Sequence, residues 1–193
     1  MRGLVTRAAL IATLAAHGTS LRAAAQLVSG APLIRGEVTF VFHSTFVGRL
    51  EGHVPVAHAE FAGDRLESIH GLALVNVTDM QTGNGARDRH LRETMEADAY
   101  PLIRFDLVGV EPGAAADTTP VTLEGTLTLH GVARPVTARG TVVVGPQVTE
   151  VTASFSLDMR DYGIRPPVRA LVLHVAPEVV VVAHLAFGAK RSP

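Results

Sequence analysis

The 193-residue sequence contains no cysteine and no tryptophan. Without cysteine there is no disulfide, no thiolate metal site and no cysteine nucleophile. An oxidising compartment is thereby permitted, though cysteine usage does not point to one. Charge is scarce as well. Only 18% of residues are charged, and 17 basic residues nearly balance 18 acidic ones. No basic stripe is present that could follow a phosphate backbone, which argues against nucleic acid as a partner. The mature chain also lacks a run of the ~20 apolar residues that a helix needs to cross a bilayer. Leu171–Phe187 comes nearest, but His174, Pro177, Glu178 and His184 interrupt it; it reads as a buried strand. Catalytic signatures are missing too. Ser44, Ser154 and Ser156 have no G-x-S-x-G context. Asp158 and Asp161 read as a strand end and the loop after it. The nine histidines include no H-x-H or H-E-x-x-H spacing. We therefore expect no enzyme, no metal and no cofactor.

The N-terminus carries an address. Arg2 and Arg7 precede a short apolar run, Ala8–Ala16, and Ala23-Ala24-Ala25 offers a small-residue cleavage site. That order is expected of a secretory signal peptide spanning residues 1–25, with one domain over 26–193. Loss of Arg2, Arg7 and Arg22 with it leaves 14 basic and 18 acidic residues, a net charge of −4.

Within that domain the dominant pattern is alternation, which places every second side chain on one face of a strand. Val38, Phe40 and Phe42 alternate with Thr39, Val41 and His43. A second strand is expected over Phe46–His58, where Gly48 and Gly52 suggest bulges or bends. A third is expected from about Leu66 to Met80, with Ala73, Val75 and Val77 on one face. Ile103, Phe105 and Leu107 share a face in Leu102–Val110. Val121–Leu129 gives the cleanest alternation, and His130–Pro135 connects it to Val136–Val144 as a hairpin. Val148–Met159 aligns Val151, Ala153, Phe155 and Leu157, an irregular loop is expected over Asp161–Pro167, and Glu178–Phe187 ends the set. Val168–Val175 fits either strand or a short helical turn.

The count is about eight strands joined mostly by short turns. An antiparallel sheet of that length removes its exposed edges by closing up-and-down. Eight strands enclose space for side chains or for one ligand. Gly71, Gly125 and Gly140 fall among the inward positions and are expected to leave a slot.

One stretch departs from the β pattern. Asn84-Gly85 is a turn dipeptide, about three turns of charged helix follow, and Pro101 stops them. Leu91 and Met95, spaced i and i+4, give a narrow apolar stripe. This single helix lies between strands 3 and 4, where it is expected to wall or cover a barrel. Arg87 and Asp88 are expected mainly to anchor it, with contact between Arg87 and a polar head group as the alternative.

The motifs Thr82-Gly83-Asn84, Arg87-Asp88, His90-Leu91, Tyr100-Pro101 and Phe105 resemble the first signature of the YceI-like polyisoprenoid-binding family. Gly125–Val132 with Arg134-Pro135-Val136 resembles its hairpin signature, and Asp161-Tyr162-Gly163-Ile164 its late element. Order and spacing agree over roughly Gly36 to Phe187. The N-terminal strand departs from the family pattern around His43–Phe46 and Gly48–Gly52. The resemblance implies an all-β, lipocalin-like antiparallel up-and-down barrel, located in the periplasm, that encloses an isoprenoid-type lipid or quinone.

On that reading the candidate ligand-binding residues are Phe40, Phe42, Val75, Val77, Leu91, Met95, Ile103, Phe105, Leu127, Phe155 and Leu185. The expected function is carriage or sequestration of a long lipid near a membrane, with a homodimer as a further expectation. Two readings stand beside it: a filled barrel acting as an interaction module beside a membrane redox protein, and a histidine-based metalloenzyme.

Overall fold

The computed structural model describes residues 29–45, 48–114, 116–165 and 175–188. The expected signal peptide lies outside the described residues, as does all of Val168–Val175 except Val175 itself. Eight strands form a closed antiparallel barrel, each paired to the next, with the first also pairing the last. They are β1 (Leu33–Ser44), β2 (Gly48–Ala62), β3 (His70–Asn76), β4 (Leu102–Pro112), β5 (Thr118–Leu129), β6 (Val132–Val144), β7 (Val148–Asp158) and β8 (Val175–Gly188). One helix, α1 (Gly85–Thr94), separates β3 from β4. Closure leaves no free sheet edge. It draws the apolar face of every strand inward.

The third strand is shorter than its alternation suggests. It covers only His70–Asn76, with 3-10 turns at Leu66–Ser68 and Val77–Asp79. The reason is local. The Ser68 hydroxyl accepts the backbone N–H groups of Asp64 (3.2 Å) and Arg65 (3.1 Å), which curls the chain before the strand begins. Leu66 and Ile69 are buried by that curl and not by strand pairing.

The hairpin connection is also tighter than expected. His130 (φ 51°) and Gly131 (φ 74°) alone make the turn, and Ala133, Arg134 and Pro135 already pair in β6. Two successive positive φ values match the twist of the flanking strands, as two-residue hairpins require. The loop expected over Asp161–Pro167 instead begins inside a 3-10 turn, Met159–Tyr162. Bulges fall near Ile34, His43, Ala57 and Val108 instead of at Gly48 or Gly52.

The interior has two apolar clusters. At the lower end, where β1 begins, Phe61, Leu66, Ile69, Val110, Val142 and Phe187 pack together. At the upper end, where β1 finishes and α1 lies, Phe40, Val54, Met80, Met95, Leu129 and Ile164 form the second cluster. The inward glycines do not leave a slot. Phe40 lies over Gly52, its cross-strand partner, and the Phe105 ring covers Gly125, where an added Cβ would sit 2.5 Å from ring carbon. At Gly71 (φ 153°) the backbone of β2 approaches so closely that an added Cβ would meet the Glu60 carbonyl at 2.0 Å. These glycines let strands coil and rings lie flat.

Candidate functional site

Between the two clusters lies a cavity of about 330 Å³. Every strand contributes to its wall, and the period-two rule places the contributors. Val38, Phe40 and Phe42 come from β1, Val151, Ala153, Phe155 and Leu157 from β7, and Val179, Val181, Ala183, Leu185 and Phe187 from β8. Ten of the eleven candidate residues line it: Phe40, Phe42, Val75, Leu91, Met95, Ile103, Phe105, Leu127, Phe155 and Leu185. Val77 does not. β3 has already ended at Asn76, so the alternation no longer applies. Val77 instead sits 1% exposed in the upper cluster, with its N–H bonded to the Pro101 carbonyl at 2.9 Å.

The sequence reading left the floor out of the site. Phe61, Leu66 and Ile69 belong to the lining. Phe187 shares an inward face with Leu185, and its ring meets Phe61 edge-on at 5.7 Å. Leu66 and Ile69 are three apart, which puts them on opposite faces of a strand, so a strand expected from Leu66 does not bring both into the lining.

α1 forms the upper wall. Asn84 caps it, its Oδ1 accepting the N–H groups of Ala86 and Arg87 at 3.1 Å each. It ends at Thr94 and not at Pro101, because Glu96 takes a left-handed conformation (φ 47°) that breaks the helix. Thr82 anchors the entry. Its N–H donates to Asp88 Oδ1 at 2.8 Å and its hydroxyl donates to the same oxygen. That hydroxyl also accepts Arg87 Nε at 2.8 Å, while Arg87 Nη2 reaches the Thr82 carbonyl at 2.8 Å. The Thr82 hydroxyl, above all, holds the Asp88 carboxyl below the usual carboxylate range. Arg87 and Asp88 are therefore anchors, as expected.

The other two motifs meet this one at His130. Its ring lies 4.2 Å from that of Tyr100, and its Nδ1 donates to the Tyr162 carbonyl at 3.2 Å. Its Nε2 faces Glu96 Oε1 at 3.5 Å. Arg134 Nε adds a bond to the Asp161 carbonyl at 3.2 Å. The three signatures thus converge on one staple joining the end of the helical segment, the hairpin and the last 3-10 turn. Asp158 is structural as well: it caps that turn through the Arg160 N–H at 2.9 Å and pairs with the Arg160 side chain.

Among the described residues the lining is apolar except at three positions, Arg87, His90 and Thr94, all on α1. No three His, Asp or Glu side chains among the described residues converge to hold a metal ion. No helix among the described residues is long and apolar enough to cross a membrane.

The sequence matches the YceI-like domain family over residues 34–187. The chain belongs to that family. Solved structures share the barrel. The Burkholderia cenocepacia protein BcnA superposes with a TM-score of 0.65 at 18% identity, covering 78% of this chain and 95% of its own. A Saccharophagus degradans domain described as polyisoprenoid-binding and implicated in plant cell wall breakdown gives 0.62 at 14% identity, covering 82% and 97%. The Campylobacter jejuni YCEI protein gives 0.56 at 16% identity, covering 69% and 81%. At these identities the likeness is one of fold. No curated protein matches the sequence. In this YceI-like domain the motifs just described meet at His130, and the barrel interior is largely apolar.

Proposed function

We propose that this YceI-like barrel carries or sequesters an isoprenoid-type lipid in the periplasm, without chemistry of its own. The observation that carries the reading is the cavity: about 330 Å³ walled by apolar side chains, with the polar lining among the described residues confined to one helix. The description of the Saccharophagus degradans relative as polyisoprenoid-binding supports it. Each CH₂ of a bound tail contributes ~0.8 kcal/mol by burial before the cost of ordering the chain, so burial selects the tail by width more than by chemical detail.

A filled barrel serving only as an interaction module would have no such cavity. Native mass spectrometry of protein purified from its own envelope separates the two. A co-purifying species of several hundred daltons supports the carrier, and a bare protein mass contradicts it. N-terminal sequencing of the same material tests the address; the expected first residue is Gln26.

A further inference from the structure

Arg87, His90 and Thr94 are spaced i, i+3 and i+7, so they share one face of α1, the face that borders the cavity. They differ in what they have left to offer. Arg87 already commits Nε and Nη2 to Thr82. His90 commits only one ring nitrogen. Its Nδ1 lies 3.4 Å from Glu93 Oε2, and a carboxylate only accepts, so in a singly protonated ring the proton resides on Nδ1. Nε2 is then a bare lone pair. It is buried and has no hydrogen-bond partner, and its residue is one of the few polar ones in a largely apolar wall. An unpaired buried acceptor is costly, and groups of this kind are ordinarily satisfied.

We propose that His90 Nε2 is the head-group acceptor of the cavity, and that the ligand presents a hydroxyl to it, as a prenylated hydroquinone or a prenol does. This inference rests on the lipid reading above and adds an orientation and a selectivity. The head lies beside α1 and the tail runs toward Phe61 and Phe187. A quinone or ether oxygen has no hydrogen to donate and would face the Nε2 lone pair with its own. The site therefore prefers the hydroxylic, reduced form of a prenylated ring to its oxidised form.

The test measures affinity for two pairs of probes by titration calorimetry. One pair is a hydroquinone with a two-unit prenyl chain and its dimethyl ether; the other is a two-unit prenol and its methyl ether. The expected result is a preference of about tenfold for the hydroxyl member of at least one pair, the size of one satisfied buried hydrogen bond. The pair that shows it tells an aromatic head from an aliphatic one. His90→Leu is expected to bring the two members to equal affinity, and His90→Gln, whose amide oxygen is again an acceptor, to restore part of the preference. Equal affinity within both pairs for the unaltered protein overturns the inference while leaving the lipid reading intact, and that comparison needs no variant to fold. A preference that survives His90→Leu also overturns it. Failure of all four probes to bind overturns both.

Discussion

The two ends of this barrel are closed by different means. At the lower end a 3-10 turn folds Leu66 and Ile69 against Phe61 and Phe187, and the seal is hydrocarbon on hydrocarbon. At the upper end α1 borders the cavity and is held by polar anchors: Thr82, Asp88, Arg87 and the Asn84 cap at its start, and the His130 staple just beyond its end. Only Leu91 and Met95 continue the apolar wall from the helical segment. A seal made by burial has little directional content. One made by hydrogen bonds sets an element at a defined angle and leaves room to place polar groups at the cavity. The difference marks the lower end as an apolar floor and the upper end as the side where polar side chains reach the cavity.

The account breaks most visibly at mid-barrel. Leu127→Asp places a charge in the hydrocarbon wall, and Phe105→Asp does the same one strand away. Such a charge is too costly to bury beside a lipid tail. Both variants are expected to lose retained lipid altogether, read by extraction and mass spectrometry. Lipid retained by a folded variant would contradict the wall assignment. Next in size, Phe187→Ala opens the floor, where the ring is 1% exposed. The expected loss is about 3–5 kcal/mol of unfolding free energy in a urea titration. The upper end is expected to respond more weakly: Asn84→Ala costs about 1 kcal/mol, as loss of a helix cap does, and lowers helical circular dichroism with the strand signal unchanged. An equal response at both ends would erase the distinction.

The smallest effect is in acid. The Asp88 carboxyl is held below its ordinary 3.8, chiefly by the Thr82 hydroxyl, so its contribution to stability is full above that pH. It is lost as pH falls through the lower folded value. Amide exchange in α1 is expected to accelerate below pH 3.8 before exchange in β5 and β6 does. Thr82→Val is expected to move that onset toward higher pH.

Alternation made the strands legible because a closed barrel buries one face of each, so Ile103, Phe105 and Leu107, or Val151 through Leu157, announce their own orientation. Val77 shows where that reasoning stops. Periodicity does not mark the end of a strand, and the shift to a 3-10 turn at Val77–Asp79 turns its side chain out of the lining. The floor was illegible for a related reason: the Ser68 turn that aims Leu66 and Ile69 depends on a hydroxyl meeting two backbone N–H groups, a pattern common in any loop. Arg87 and His90 were visible as motif residues. What distinguishes them is which nitrogens are already occupied, and spacing carries no trace of that.

Anomalous diffraction from crystals grown with a short prenyl hydroquinone brominated at the tail end tests the central claim most directly. The account predicts a bromine peak inside the barrel near Phe61 and Phe187, with the ring beside α1. A bromine beside α1, or on the outer surface of the sheet, would contradict it.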